Sequence, residues 1–238
     1  MDKMIYQLAH PITTKISGMW NEGSPYSKNT LYEIIDNALP PVNYSEYLLK
    51  PHSITHAEAP LHVTLNDKDI LSFFHDSKYF FGECLVIRLK GNNYQKQNNS
   101  KIHLWEIGLE ELKQAMEETL QGKNFSGKIL ITSDFYPLDI NQMHDPNYVL
   151  ILSQEAADYL VSLDNFHLYG TSWKSSDFKP GSSERPIHKT LFKKAIIVEL
   201  LNLKDVPAGI YQYSGVPLPL ENASESPIAP ILYRENDR

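Results

Sequence analysis

Apolar positions fall in short blocks whose spacing changes along the chain. "ECLVIRLKG" (83–91) is a near-continuous apolar run closed by glycine and predicts a buried strand. "NNYQKQNNSK" (92–101) is polar and predicts an exposed loop. Leu109, Leu112, Met116 and Leu120 then recur at helical spacing with charges between them, which predicts an amphipathic helix with its stripe on a core. "GKILITSD" (127–134) predicts a strand, "SQEAADYLVSL" (153–163) a helix with Ser153 as N-cap, and "FHLYGTS" (166–172) a strand. A loop, "WKSSDFKPGSSERP", a short helix, "IHKTLFKK", and an apolar strand, "AIIVELLNL" (195–203), follow. The tail alternates strand-like runs with prolines in "AGIYQYSGVPLPL" and "APILYRE". Residues 15–50 show no period and are rich in aromatics and turn formers, a composition suited to a segment that covers a site.

The alternation of strands and helices over 83–203 predicts an α/β fold built of mixed α+β layers. No linker divides the chain and no repeat of 20–50 residues is visible, so residues 1–238 read as one domain.

Composition narrows the function. The chain has 238 residues, 42% of them hydrophobic, enough for a sizeable core. The formal net charge is −7 and no long basic run occurs, which argues against a nucleic-acid partner. The N-terminus lacks the apolar core of a signal peptide, and no stretch of about 20 apolar residues exists to cross a bilayer. The expected location is the cytoplasm, with no membrane partner. The single cysteine, Cys84, lies inside the first apolar run and reads as a small core side chain.

The chemistry concentrates in "KPHSITHAEAPLHV" (50–63), which carries three of the nine histidines. His52, His56 and Glu58 form a set of two imidazoles and a carboxylate of the kind that binds zinc, with His62 close by. On an ideal strand all these positions share a face, but at about 3.3 Å per residue His52 and His56 stand about 13 Å apart. On a helix Glu58 points away from the other two, and Pro60 opposes a helix in any case. A metal site here therefore requires a bent backbone, and the spacing leaves both a metal site and an exposed histidine-rich loop open. Downstream, Glu199 sits inside an apolar strand, where a carboxylate needs a partner or an ion. His188, taken alone, reads as a helix-surface residue.

The stretch from His52 to His62 resembles the H-x-G-T-H-x-D-x-P-x-H motif of the cyclase-like metal hydrolases, which include bacterial kynurenine formamidases and isatin hydrolases. "MWNEGSPY", "LYGTSWKSSD", "RPIHKTLF", "VELLNL" and "GVPLPLENASESPIAPIL" resemble later or earlier segments of the same family, so the likeness spans nearly the whole chain. The resemblance implies a swivelling β/β/α fold and a homo-oligomer, dimer or tetramer. It implies His52, His56, Glu58, His188 and Glu199 as metal ligands, His62 as the catalytic histidine, and Trp20 in the region over the substrate. It implies one or two divalent ions, zinc first and manganese second, and a small-molecule amide substrate, N-formyl-L-kynurenine first. A cyclic amide of the isatin type, or metal and ligand binding without strong catalysis, remain alternatives. Two residues depart from the motif: Ile54 replaces its glycine and Glu58 its aspartate. Ser172 also stands where an aspartate often follows the glycine.

Overall fold

The computed structural model describes residues 4–20, 22–35, 39–179 and 181–234. Positions 21 and 36–38 of the expected covering segment, Pro180 of the expected loop, and the ends 1–3 and 235–238 lie outside the described residues. In chain order the elements are β1 (Met4–Gln7), β2 (Tyr26–Tyr32), β3 (Tyr44–Leu49), β4 (His56–Glu58), β5 (Phe81–Leu89), β6 (Gln95–Lys96), β7 (His103–Ile107), α1 (Leu109–Leu120), β8 (Lys128–Ser133), β9 (Tyr148–Leu152), α2 (Gln154–Ser162), β10 (Leu168–Thr171), α3 (Pro186–Leu191), β11 (Ile196–Glu199), β12 (Gly209–Ser214), β13 (Glu225–Pro227) and β14 (Ile231–Arg234).

Among the described residues one mixed sheet carries nine strands in the order β1-β14-β12-β5-β8-β10-β11-β4-β13. Its middle, β5, β8, β10 and β11, is parallel, and both margins are antiparallel. The parallel strands read as continuous apolar runs because both of their faces are covered. Leu85, Ile87, Ile129, Ile131, Tyr169 and Ile197 point to the side of the three helices, against Leu112, Met116, Leu160 and Leu191. The alternate positions, Cys84, Val86, Leu130, Leu168, Ile196 and Val198, pack on the opposite side against Tyr211, Tyr213 and Leu232. Cys84 is fully buried and burial pushes its thiol up, which fits packing rather than nucleophilic attack.

The α/β expectation holds in the structure, as do the helix stripe and the Ser153 cap, whose hydroxyl accepts from the Ala156 amide at 3.2 Å. Three readings change. The apolar run 195–203 is a strand only to Glu199, because Leu200 takes a left-handed conformation with φ 56°. The segment 15–50 is not wholly irregular: β2 and β3 pair as a hairpin. Its pattern hid it, since most of its residues are exposed on both faces and show no period of two. A third sheet, β6-β7-β9, also escaped the sequence reading, and its β6 lies inside the expected loop 92–101.

One buried group sets an acid limb on stability. His144 is 2% exposed, and among the described residues its Nδ1 has no hydrogen-bond partner. Burial lowers its pKa from 6.5 to about 4, against the opposing pull of Asp145. The unfolded chain therefore takes up this proton first, so stability is whole above pH 6.5 and falls as the pH drops toward 4. Between pH 7 and 5 the wild type should lose about 2 kcal/mol more than His144→Gln in urea melts, at about 1.36 kcal/mol per pH unit. Equal losses in the two proteins would contradict the assignment.

Candidate metal centre

The site forms where the parallel strands end, the place at which open α/β sheets hold ligands. β11 ends on Glu199, and β4 runs antiparallel beside it with His56 opposite Glu199 and Glu58 opposite Ile197. On its other edge β4 pairs β13, with Glu58 opposite Glu225. Residues opposite each other in a ladder share a face, so His56, Glu58, Glu199 and Glu225 project to one side while Ala57 enters the core. The bend that the spacing demanded is present. A 3-10 turn, Pro51–Ser53, precedes β4, and a second, Pro60–His62, follows it. These turns fold His52 and His62 back over the strand.

The donor atoms converge. His52 Nδ1 lies 3.3 Å from His56 Nε2 and 3.4 Å from Glu58 Oε1, and His56 Nε2 lies 3.2 Å from the same oxygen. Four donors set tetrahedrally at about 2.05 Å from an ion are about 3.3 Å apart, so the triangle matches the edge of a zinc-type tetrahedron. The other Glu58 oxygen faces His188 Nε2 at 3.1 Å, and that nitrogen is 3.4 Å from Glu199 Oε1. Glu58 thus touches both groups, one oxygen to each.

The outward nitrogens are also held. His56 Nδ1–H donates to the Ile54 carbonyl at 2.8 Å. His188 Nδ1–H donates to Asp177 Oδ2 at 2.6 Å. Each ring then presents its other nitrogen, lone pair inward, which is how metal-binding imidazoles are oriented. Arg185 reaches the Asp177 carboxylate through Nε at 3.3 Å and His62 Nε2 through Nη2 at 3.2 Å. Ser176 Oγ donates to Glu199 Oε1 at 2.7 Å.

The buried carboxylates draw positive charge into the cluster. Glu58 and Glu199 are 1% and 2% exposed, and His56 and His188 are fully buried. Burial alone would raise the Glu58 pKa, but His188, His52 and His56 outweigh it and hold the carboxyl well below its usual range. Burial opposes the His52 proton, yet Glu225 and Glu58 raise its pKa to about 10. Asp177, Glu199 and Glu58 likewise overcome burial at His188 and push its pKa well up. A divalent ion bound by these atoms would replace the protons that the carboxylates favour on the rings, since ligands must be deprotonated. The residues present therefore fit a divalent metal.

Glu58 and Ile54, the two departures from the motif, fit their places. Glu58 reaches His52, His56 and His188. Ile54 is extended, with φ −132°, and packs with Ile16, Met143 and Leu200, so no glycine is needed there. Thr55 fastens the start of β4 to the end of β11 by donating to the Leu200 carbonyl at 2.7 Å. Trp20 donates from Nε1 to the His52 carbonyl at 2.9 Å, and Lys174 Nζ lies 4.3 Å from its ring centre. A cavity of about 570 Å³ opens over the cluster, walled by Trp20, Leu49, Lys174, Arg185, His62 and Glu225. Asp177, Arg185 and Glu225 were missed by sequence reasoning. For Asp177 and Arg185 the signal was their closeness to His188; for Glu225 there was none before the β4–β13 register was known.

The fold and the cluster agree with the cyclase-like metal-dependent hydrolases that the motif resembles, and relatives in sequence and structure are of the same kind. No family model matches the chain. It is 26% identical over 215 residues to the kynurenine formamidase of Geobacillus thermodenitrificans, a match covering 90% of each protein. Isatin hydrolase A from Labrenzia aggregata shares the fold with a TM-score of 0.74 at 16% identity, over 97% of this chain and 93% of that one. A predicted metal-dependent hydrolase from Bacillus stearothermophilus superposes with a TM-score of 0.70 at 20% identity, over 99% and 100% of the two chains. Together these relatives support a metal-dependent amidohydrolase. No helix among the described residues is long and apolar enough to cross a membrane.

Proposed function

We propose that this protein hydrolyses an amide C–N bond at a zinc centre held by His52, His56, Glu58, His188 and Glu199. The observation that carries the reading is the donor triangle of His52, His56 and Glu58, with sides of 3.2–3.4 Å. The bound metal supplies water of lowered pKa and polarises the carbonyl. His62 is the proton carrier. Its Nε2 faces the cluster, 3.4 Å from Glu58 Oε1, where it takes a proton from the attacking water and returns it to the leaving nitrogen. Burial lowers the His62 pKa despite the pull of Glu58, so the ring is neutral and can accept. Trp20 forms an aromatic wall of the cavity and Arg185 stands beside His62, an arrangement suited to a planar substrate.

The substrate that the sequence relatives favour is N-formyl-L-kynurenine, cleaved to kynurenine and formate. A cyclic amide of the isatin type is the second reading, favoured by the isatin hydrolase likeness in fold. The protein acts as a homo-oligomer in this proposal, because the β2–β3 hairpin exposes Leu31, Tyr32, Tyr44, Tyr47 and Leu48 together. Incubating purified protein with each substrate, before and after chelation and with zinc restored, tests the central claim. Activity on either substrate should disappear with chelator and return with zinc. Activity that survives complete metal removal would exclude the metal role.

A further inference from the structure

One charged group at the cavity has no part in the mechanism above. Glu225 enters the site from β13, opposite Glu58 in the ladder. Its Oε1 faces His52 Nε2 at 3.4 Å and its Oε2 faces His62 Nδ1 at 3.9 Å. In both rings the nitrogen facing Glu225 is the one turned away from the cluster. His52 aims Nδ1 at His56 and Glu58, and His62 aims Nε2 at Glu58 and Arg185. His56 has the Ile54 carbonyl behind it and His188 has Asp177. Glu225 completes this pattern for the two rings that stand on turns rather than on a strand or helix, and it serves them with one oxygen each.

We infer that Glu225 is a positioning residue: it fixes the tautomer and aim of His52 by accepting its outward N–H at 3.4 Å, and its charge, 3.9 Å from His62 Nδ1, favours the His62 tautomer whose Nε2 faces the cluster. Holding a ring by its far N–H raises the basicity of the facing nitrogen and removes the freedom of the ring to turn away. His52 needs this most, because its side chain is 32% exposed whereas those of its partners are buried. Ser224, whose hydroxyl donates to Glu225 Oε2, in turn holds the carboxylate. Glu225 sits on a three-residue strand at the margin of the sheet, so its placement depends on the β4–β13 ladder.

The inference rests on the reading of His52 as a metal ligand, and the test separates the two. The full-length protein is freed of metal and titrated with Zn²⁺ in competition with a chromophoric chelator, and with Co²⁺ while its visible absorption is followed. Glu225→Ala should bind Zn²⁺ about 10–100-fold more weakly, the range that loss of an outer partner of a metal ligand gives. Glu225→Gln should lose less than Glu225→Ala, because its single amide oxygen still accepts from His52, and its Co²⁺ spectrum should be unchanged. Unaltered thermal unfolding of the metal-free variants shows that the fold is kept. Zn²⁺ affinity unchanged in Glu225→Ala would overturn the inference. So would an equal loss in Glu225→Gln with a changed Co²⁺ spectrum, which would make Glu225 a ligand itself. A wild type that binds neither ion would instead overturn the metal-site reading.

Discussion

Glu58→Gln should leave the purified protein without bound metal and reduce hydrolysis by well over the roughly 100-fold that marks loss of an outer partner. Among the described residues no other side chain touches so many of the converging donors: Oε1 is within 3.4 Å of His52, His56 and His62, and Oε2 is 3.1 Å from His188. The glutamine keeps the shape but not the charge, and half of its head becomes a donor aimed at nitrogens that must themselves face a cation. Metal content by elemental analysis reads the first effect and turnover the second. Glu58→Asp sharpens the point. The motif's own residue is shorter by about 1.5 Å, against a ligand tolerance of about 0.2 Å. With the backbone of β4 fixed on both edges, the shorter acid should bind metal more weakly than the native one. A gain in metal affinity and activity would show instead that the native site is degenerate.

Gly127→Ala should cost about 3–5 kcal/mol of stability, summing overpacking against fixed neighbours with backbone strain at a left-handed position. Gly127 has φ 100° and leads directly into β8. A methyl group there would overlap the Asn165 carbonyl oxygen and the His167 ring. The first obstacle is backbone and cannot swing aside. The Gly127 carbonyl also accepts from the His167 amide at 2.8 Å, so a shift would loosen the start of β10 beside it. Urea denaturation should show a lower midpoint with an unchanged slope. A loss below about 1 kcal/mol would mean that this turn is far more compliant than its packing indicates.

The sequence showed the middle of the fold and, in the strand-like runs of the tail, β12 and β14, but not β4 or the β2–β3 hairpin, for a physical reason. β5, β8, β10 and β11 bury both faces, so Leu85, Val86 and Ile87, or Ile196, Ile197 and Val198, stand in unbroken runs that declare a strand. β4 is three residues between two proline-led turns and has no period to detect. The β2–β3 hairpin failed in the opposite way, since outward residues on both faces erase the alternation. At the site the local stretch left metal binding undecided, because neither an ideal strand nor a helix brings His52, His56 and Glu58 together. The resemblance to the cyclase-like hydrolases named His188 and Glu199, and the structure brings both to the same cluster. Glu225 could not be seen, because what selects it is the direction of an N–H in a neighbouring ring, a property that no spacing encodes, whereas Asp177 and Arg185 offered only their closeness to His188 in sequence.

The three-residue strand that carries His56 and Glu58 also joins β13 to the rest of the sheet. So short a ladder holds little by backbone bonding alone. The side chains that meet above it come from the turns on either side, from α3 and from β11, parts of the chain that lie far apart in sequence. An ion held there by residues of the early turns, α3 and β11 would act as a clasp as well as a reagent, adding to the hold of this border of the sheet. The chemistry and the integrity of that border would then rise and fall together with the supply of metal.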